Sequence, residues 1–153
     1  MTYKLNFKPL NNIKMKLSYF SLLLKNYLLT SFPDLASDDV FIKERAESAA
    51  EKYSLSIQNG LHQDAASEKA NQILFSGLLF SKYDLIKSVL TEEFSHIISD
   101  EQKNKFALII LQHSKEVFSN YDLSDDFATS SEYDSLYTEL TGFISIYIEE
   151  NGL

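Results

Sequence analysis

The chain has 153 residues, of which 44% are hydrophobic, and this suits one globular domain with a single core. Its four glycines and two prolines are few, which favours long helices over a β-sandwich or barrel with many turns. The absence of cysteine excludes disulfides, thiolate catalysis and cysteine-ligated zinc or iron–sulfur sites.

The formal net charge of −8 is unevenly distributed along the chain. Residues 1–31 contain five lysines and no acid, whereas residues 119–153 contain eight acids and no base. Such asymmetry indicates a basic arm for nucleic acid or membrane, an acidic surface for a basic partner, or two ends that lie together in the fold. The last explanation is the simplest, because net charge argues only weakly for partners.

The N-terminal region, residues 1–15, shows no hydrophobic period, and we predict a loosely ordered basic tail before a helical domain at residues 16–153. Met15 is an alternative candidate for the start of translation. The apolar run after Lys16 resembles a secretory signal, but Lys25 and Asn26 interrupt it. No apolar stretch reaches the roughly 18 residues that span a bilayer. We therefore expect a cytoplasmic protein without a membrane association.

Three helices are predicted in the first half of the chain. The first covers Leu17 to Leu29, where apolar residues recur at helical spacing. The second begins after Ser37-Asp-Asp, whose side chains suit an N-cap, and ends at Asn59-Gly60. The third begins at about Asp64 and carries Gly77 on its buried stripe, where glycine would let a neighbouring helix approach closely.

Three more helices are predicted in the second half. The fourth starts at Ser81, and its buried stripe extends to Ile97. The fifth starts with a capping box at Ser99 and buries His113. The sixth follows a polar connection at residues 119–130 and starts with Ser131 as its N-cap. Together the pattern predicts an all-α fold, a single multihelical domain of about six amphipathic helices.

A hexapeptide occurs twice, as Phe80-Ser-Lys-Tyr-Asp-Leu85 and as Phe118-Ser-Asn-Tyr-Asp-Leu123. In the first copy the serine can cap a helix, the aspartate can reach back to it, and Phe80 and Leu85 have the spacing of a hydrophobic staple. The second copy precedes no amphipathic run, so we predict that it forms a turn closing the fifth helix. The repeat is therefore a device for starting or ending helices and not a duplicated site.

Glu93 and His96 form a Glu-x-x-His unit, which would place a carboxylate and an imidazole on one helical face. Di-iron helical bundles use two such units and two further glutamates, so a metal-dependent enzyme is only the alternative hypothesis. The helical domain has no nucleophile elbow, phosphate-binding glycine loop or basic patch interleaved with aromatic residues. We therefore expect no enzyme activity, no cofactor and no direct binding of nucleic acid.

The acidic loop that starts at Tyr121 does not fit a calcium site, because an EF-hand needs glycine and glutamate where the chain has Phe127 and Tyr133. We consider it a candidate interaction surface for a protein partner, which its charge predicts to be basic. Its two aromatic side chains are expected to anchor the loop in the core, with exposure to the partner as the alternative. The candidate surface residues are Tyr121, Asp122, Asp125, Asp126, Phe127, Glu132 and Asp134.

Four segments, taken together, resemble a family of small all-helical proteins of unknown function from anaerobic gut and oral bacteria. They are Asp39-Val-Phe-Ile-Lys-Glu-Arg-Ala46, Phe80-Ser-Lys-Tyr-Asp84, Tyr121-Asp-Leu-Ser-Asp-Asp-Phe-Ala128 and Glu132-Tyr-Asp-Ser-Leu-Tyr-Thr-Glu-Leu-Thr-Gly142. The resemblance spans about residues 17–153. It implies an all-α fold and a gene carried on mobile or conjugative elements, and it implies no catalytic or ligand-binding residue.

From these observations we expect a non-enzymatic interaction or accessory protein, of a mobile genetic element, that acts through an acidic, tyrosine-bearing surface. The alternatives are the metal-dependent enzyme that would use Glu93 and His96, and an acidic decoy that mimics DNA. A structural homodimer is a further hypothesis if one helix stripe is left uncovered.

Overall fold

The computed structural model describes the backbone of residues 2–152 and the side chains of residues 14–152. The all-α single domain predicted from the sequence is confirmed, and the described backbone contains no strand. The described backbone has seven α-helices and one short 3₁₀-helix, where six helices were predicted. In chain order they are α1 (Thr2–Ser31), α2 (Asp39–Gln58), α3 (Gln63–Leu74), α4 (Lys82–Glu93), α5 (Asp100–His113), α6 (Lys115–Ser119), the 3₁₀-helix (Phe127–Thr129) and α7 (Tyr133–Asn151).

Helix α1 begins at Thr2, well before Leu17, where the hydrophobic period begins. That period reports the burial of one helix face and not helicity itself, so its absence did not mark the start of the helix. The predicted tail, residues 1–15, thus has helical backbone from Thr2 onward. Its side chains up to residue 13 lie outside the described residues, and its looseness stays a prediction.

Contacts between Cα atoms divide the domain into two compact units, Met1–Ser76 and Gly77–Leu153. In the first unit α2 packs against both α1 and α3. The buried faces of α2 and α3 are rich in alanine, with Ala46, Ala49, Ala66 and Ala70 fully buried. Such small side chains let helix backbones approach closely. The predicted start of α2 is confirmed, because the Asp38 carboxylate accepts the Phe41 N–H at 3.0 Å.

The third helix ends earlier than predicted, at Leu74. The guanidinium of Arg45 donates to the carbonyl oxygens of Ile73 and Leu74, both at 3.2 Å, and of Ser76 at 2.6 Å. A cation at this position satisfies carbonyl groups that the helix leaves unpaired. Gly77 has φ = +78°, which glycine adopts without steric cost. Its predicted place on a helical stripe is therefore wrong.

The second unit has a core built from α4, α5 and α7, with α6 and the 3₁₀-helix packed against α7. Helix α5 begins with the predicted capping box, in which Ser99 and Gln102 exchange side-chain-to-backbone hydrogen bonds. The fully buried side chains of this core are Ile86, Val89, Leu90, Ala107, Ile110, Leu136, Leu140 and Ile144.

The two copies of the hexapeptide have different structures, as predicted. In the first, the Ser81 hydroxyl accepts the Asp84 N–H at 3.0 Å and caps α4. In the second, the Tyr121 N–H donates to the Phe118 carbonyl at 3.2 Å in a turn after α6. The predicted cap at Ser131 is wrong, because α7 has Glu132 at its N-cap and no side-chain capping hydrogen bond.

The predicted fifth helix is interrupted at Ser114, which separates α5 from α6. Ser114 is fully buried, whereas His113, which was predicted to lie in the core, is exposed and packs on the ring of Tyr147 with centroids 5.5 Å apart. The interruption changes the register of the buried face, so the serine and not the histidine points inward.

Helix α4 ends at Glu93, and this end also changes the register of the buried face. Ile98 is therefore buried in place of the predicted Ile97. Among the helices that the structure describes, none has both the length and the hydropathy that crossing a bilayer requires.

Candidate interaction surface

Phe127, predicted as part of the interaction surface, is 1% exposed and lies in the core of the second unit. Its ring packs edge-on against Phe80, with centroids 4.9 Å apart, and against Tyr121 at 6.0 Å, and it lies 6.4 Å from the ring of Tyr133. The expectation that this residue anchors the loop is therefore correct, and Phe127 cannot contact a partner.

Asp125 is also occupied by the fold. Its two carboxylate oxygens accept the backbone N–H groups of Gly77, at 2.9 Å, and Leu79, at 3.1 Å. Hydrogen bonds between a carboxylate and backbone N–H groups are strong, and these two hold the segment that leads into α4. We therefore assign Asp125 a structural role within the second unit.

The remaining acids of the predicted surface are exposed, namely Asp122, Asp126, Glu132 and Asp134. Asp126 accepts a hydrogen bond from the Ser124 hydroxyl at 2.9 Å, so its carboxylate is held within the loop. These side chains give this end of the second unit its negative charge.

Tyr121 is half-buried, and its phenol donates to the Glu139 carboxylate at 2.7 Å. This hydrogen bond, followed by partial burial and by the charges of Glu139 and Glu132, raises the pKa of Tyr121. The phenol is therefore a hydrogen-bond donor at neutral pH. The pair fixes the loop to α7.

A second group of tyrosines and carboxylates lies where α7 meets the last turn of α4. The phenol of Tyr137 donates to Glu92 at 2.6 Å and makes a longer contact to Glu93 at 3.1 Å. The ring of Tyr133 lies one helical turn earlier, with its centroid 6.4 Å from that of Tyr137. We call these four residues, Glu92, Glu93, Tyr133 and Tyr137, the Tyr137 cluster.

Burial and nearby carboxylates keep both phenols of the cluster protonated. Burial, together with the hydrogen bonds to Glu92 and Glu93, raises the pKa of Tyr137 far above its ordinary value. Burial and the nearby charges of Glu92 and Asp134 raise the pKa of Tyr133. Both side chains therefore present a neutral ring beside negatively charged carboxylates.

The position of the two glutamates opposes the stability of α4. A helix carries partial negative charge at its C-terminus, where cations stabilise it and anions do not. Helix α4 nevertheless ends with Glu92 and Glu93 and has no base in its last turn. Among the described side chains, no lysine, arginine or histidine forms an ion pair with either glutamate. The Tyr137 phenol is therefore the hydrogen-bond donor that holds them together.

The surface predicted from the sequence is thus divided into two parts. Tyr137 and Glu139 are two residues apart on α7, so their side chains leave the helix on opposite sides of its buried stripe. The pair of Tyr121 and Glu139 lies on one side, and the Tyr137 cluster lies on the other. The cluster combines two adjacent exposed carboxylates with two rings, which the pair does not.

An open, polar groove of about 460 Å³ begins at the Tyr137 cluster and runs between α4 and α5. Its two lysines are neutralised by ion pairs, Lys87 with Asp84 at 3.5 Å and Lys103 with Asp100 at 3.0 Å. The unpaired charge at this groove is therefore that of Glu92. The lining residues are Asp84, Lys87, Ser88, Thr91, Glu92, Lys103 and Asn104.

The Glu-x-x-His unit does not have the geometry that the metal hypothesis requires. Helix α4 ends at Glu93, and His96 lies in the turn that follows, so the two side chains do not share a helical face. Within the part of the chain that the structure describes, no three histidine or acidic side chains come together as metal ligands would. The structure thus removes the geometric premise for an enzyme that uses Glu93 and His96.

The sequence pattern did not indicate Glu92, Tyr137 and Glu139 as surface residues. The signals were weak: two adjacent acids at a helix end, and a tyrosine one helical turn after Tyr133. Neither signal indicates that the Tyr137 phenol would meet the Glu92 carboxylate, which is 45 residues away in sequence.

Comparisons with known proteins support the fold and assign no activity. A family model described as a domain of unknown function, DUF1896, matches residues 12–153. The crystal structure of protein PG0816 from Porphyromonas gingivalis is similar, with 39% sequence identity and a TM-score of 0.89. The match covers 94% of this chain and 97% of that chain. A comparison with curated proteins found no match.

Proposed function

The chain belongs to the DUF1896 family, and from this premise we propose that it is a non-enzymatic interaction protein whose Tyr137 cluster binds a basic segment of a partner protein. The observation that carries the proposal is the contact of one phenol with two exposed glutamates, at 2.6 Å and 3.1 Å, which form no ion pair with any described side chain. A ligand that supplies the missing positive charge would relieve the repulsion between the two carboxylates.

The chemistry of the cluster favours arginine or lysine over other groups. A guanidinium can donate two parallel hydrogen bonds to a carboxylate and can also stack on an aromatic face. Cations placed over tyrosine rings gain further attraction from the ring quadrupole. Tyr133 and Tyr137 lie beside Glu92 and Glu93, so a single arginine could use both kinds of contact.

Charge further from the cluster favours the same partner. Residues 119–153 contain eight acids and no base, and this field attracts a basic partner before contact and speeds association. The groove that begins at Glu92 offers space for the residues next to the bound cation. A role as an accessory of a mobile element, which the resemblance implies, would place this partner among the basic proteins that the element or its host encodes.

The test uses fluorescent peptides that are rich in arginine, rich in lysine or rich in glutamate, with binding followed by anisotropy at several salt concentrations. We expect the arginine-rich peptides to bind most tightly and the affinity to fall as salt increases. The double variant Glu92→Gln, Glu93→Gln should weaken this binding about tenfold or more, since contacts between close charge pairs are lost.

The matched control is the double variant Glu149→Gln, Glu150→Gln. It removes the same charge from exposed positions near the end of α7, about three turns beyond Tyr137. We expect it to bind the peptides almost as the unmodified protein does. Equal weakening by both double variants would show that only net charge matters, and a lack of binding to every basic peptide would exclude the proposed function.

A further inference from the structure

Helix α1 has a second apolar face, which is exposed among the residues that the structure describes. Met15, Tyr19, Leu22 and Leu29 are large apolar side chains that are 70%, 55%, 62% and 57% exposed. The core-facing side of the same helix is formed by Phe20, Leu24 and Leu28, which are almost fully buried. Large exposed apolar patches are uncommon on monomeric proteins, and they mark interaction sites.

The exposed residues follow a heptad repeat. Together with the exposed Asn26, their spacings are four, three, four and three residues from Met15 to Leu29. In heptad terms Met15, Leu22 and Leu29 occupy d positions, and Tyr19 and Asn26 occupy a positions. This is the seam of a coiled coil, on a helix of 30 residues that is about 45 Å long.

We propose that this face, which we call the α1 seam, pairs with the α1 seam of a second copy of the chain in a parallel, in-register coiled coil. Two of the three d positions are leucine, the residue that parallel two-stranded coiled coils use at d. A single asparagine at an a position specifies both register and a two-stranded state, because the two amides then face each other in the interface. Asn26 is the polar residue at such a position.

The charges beside the seam favour a second copy over an acidic partner helix. Lys16 and Lys25 lie at the flanking e and g positions, but both are directed to groups of their own chain. The Lys16 ammonium lies 4.3 Å from the centroid of the Tyr53 ring, and the Lys25 ammonium donates to the carbonyl of Ala36. At the e and g positions whose side chains the structure describes, two copies would therefore not bring free lysines together, and an acidic helix would find no free lysine.

The area of the seam is compatible with a specific dimer. Pairing two such faces would bury on the order of 1,000 Å², which is near the lower limit for specific interfaces. The expected dimer is therefore of moderate affinity and dissociates on dilution. Sedimentation velocity between micromolar and millimolar protein should show a monomer–dimer equilibrium in the unmodified chain.

The seam is tested by Leu22→Lys, with Val40→Lys as the matched control. Leu22 and Val40 are 62% and 66% exposed in the same unit, so neither substitution disturbs the core. We expect Leu22→Lys to be monomeric at every concentration and Val40→Lys to dimerise as the unmodified protein does. Circular dichroism should show the same helix content in all three proteins, which separates loss of pairing from loss of folding.

The parallel register is tested with single cysteines, which the absence of natural cysteines allows. In a parallel dimer Tyr19→Cys and Asn26→Cys should each form an intermolecular disulfide on mild oxidation, because identical a positions face each other at disulfide distance. Val40→Cys should not. A monomer at all concentrations, a Leu22→Lys variant that still dimerises, or cross-linking at only one of the two seam positions would overturn the proposal.

Discussion

Tyr137 of α7 donates a hydrogen bond to Glu92 of α4 across 2.6 Å, and this contact joins two helices that are 45 residues apart in sequence. The acceptor is one of two glutamates at a helix end where the helix dipole disfavours negative charge. Residues that carry out function are often placed where they cost stability. We therefore expect the phenol of the cluster to stabilise the fold and its carboxylates to destabilise it.

Removing the phenol and removing a carboxylate should change stability in opposite directions. Tyr137→Phe deletes the donor and leaves the two carboxylates without it, and we expect a loss of about 1 kcal/mol in the free energy of unfolding. Glu93→Gln removes one charge from the end of α4, and we expect a gain of about 0.5 kcal/mol. Urea denaturation followed by circular dichroism measures both. A Glu93→Gln variant less stable than the parent would contradict this account.

The stability of the protein should fall at alkaline pH because folding raises tyrosine pKa values. Burial is the main cause for Tyr83, Tyr133 and Tyr137, and the hydrogen bond to Glu139 is the main cause for Tyr121. Because folding favours the protonated phenols, their contribution to stability is complete below pH 10, the ordinary tyrosine pKa. This contribution is lost as the pH rises through the pKa values of the folded protein.

Urea denaturation at pH 8 and at pH 10.5, with the absorbance at 295 nm to follow phenolate, tests this pH dependence. Tyr137→Phe should show a smaller decrease in stability between the two pH values than the unmodified protein does. A stability that stays constant or rises between pH 8 and pH 10.5 would rule out the raised pKa values.

Among the acids of the loop, Asp125 should be the one whose loss destabilises the fold. Asp125→Ala removes two acceptors from the N–H groups of Gly77 and Leu79, and we expect a cost of about 2 kcal/mol. Asp122→Ala, at an exposed position of the same loop, should change the free energy of unfolding by less than about 0.5 kcal/mol. Thermal melts of both variants make the comparison, and equal effects would refute the structural role of Asp125.

Ser114 should be replaceable by alanine with a gain in stability. Ser114 is fully buried at the break between α5 and α6, and its hydroxyl has no hydrogen-bond partner among the described residues. A buried hydroxyl without a partner is unfavourable, so Ser114→Ala should raise the free energy of unfolding by about 1 kcal/mol. The control is Ser88→Ala, whose serine is exposed on α4 and should be nearly neutral. A destabilised Ser114→Ala variant would reveal a bound partner of the hydroxyl.

Local signals in the sequence were sufficient for the starts of α2, α4 and α5 and insufficient for the end of α3. The caps at Asp38, Ser81 and Ser99 depend on residues three positions apart and could be identified directly. The end of α3 depends on Arg45, which is 28 residues upstream of the first carbonyl that it binds. A contact of that kind has no local signature, and Gly77 was therefore placed in a helix.

The candidate surface stays a prediction, and the fold removes two of its residues, Phe127 and Asp125, from contact with a partner. An acidic segment with aromatic residues could be identified from composition alone, and its exposed acids are where the sequence placed them. Phe127 and Asp125 were included because they belong to this acidic segment, but their roles depend on contacts with Phe80, Gly77 and Leu79. Glu92 and Glu93 became candidates only when the fold brought them to Tyr137.

The hydrogen bond between Tyr137 and Glu92 also gives the protein an optical signal of its own. The chain has no tryptophan, so energy transfer to indole does not hide the emission of its nine tyrosines. A phenol that is hydrogen-bonded to a carboxylate fluoresces weakly, because the excited phenol passes its proton to the acceptor. A ligand that draws Glu92 away would therefore brighten the tyrosine emission, and occupancy of this site could be followed without a label.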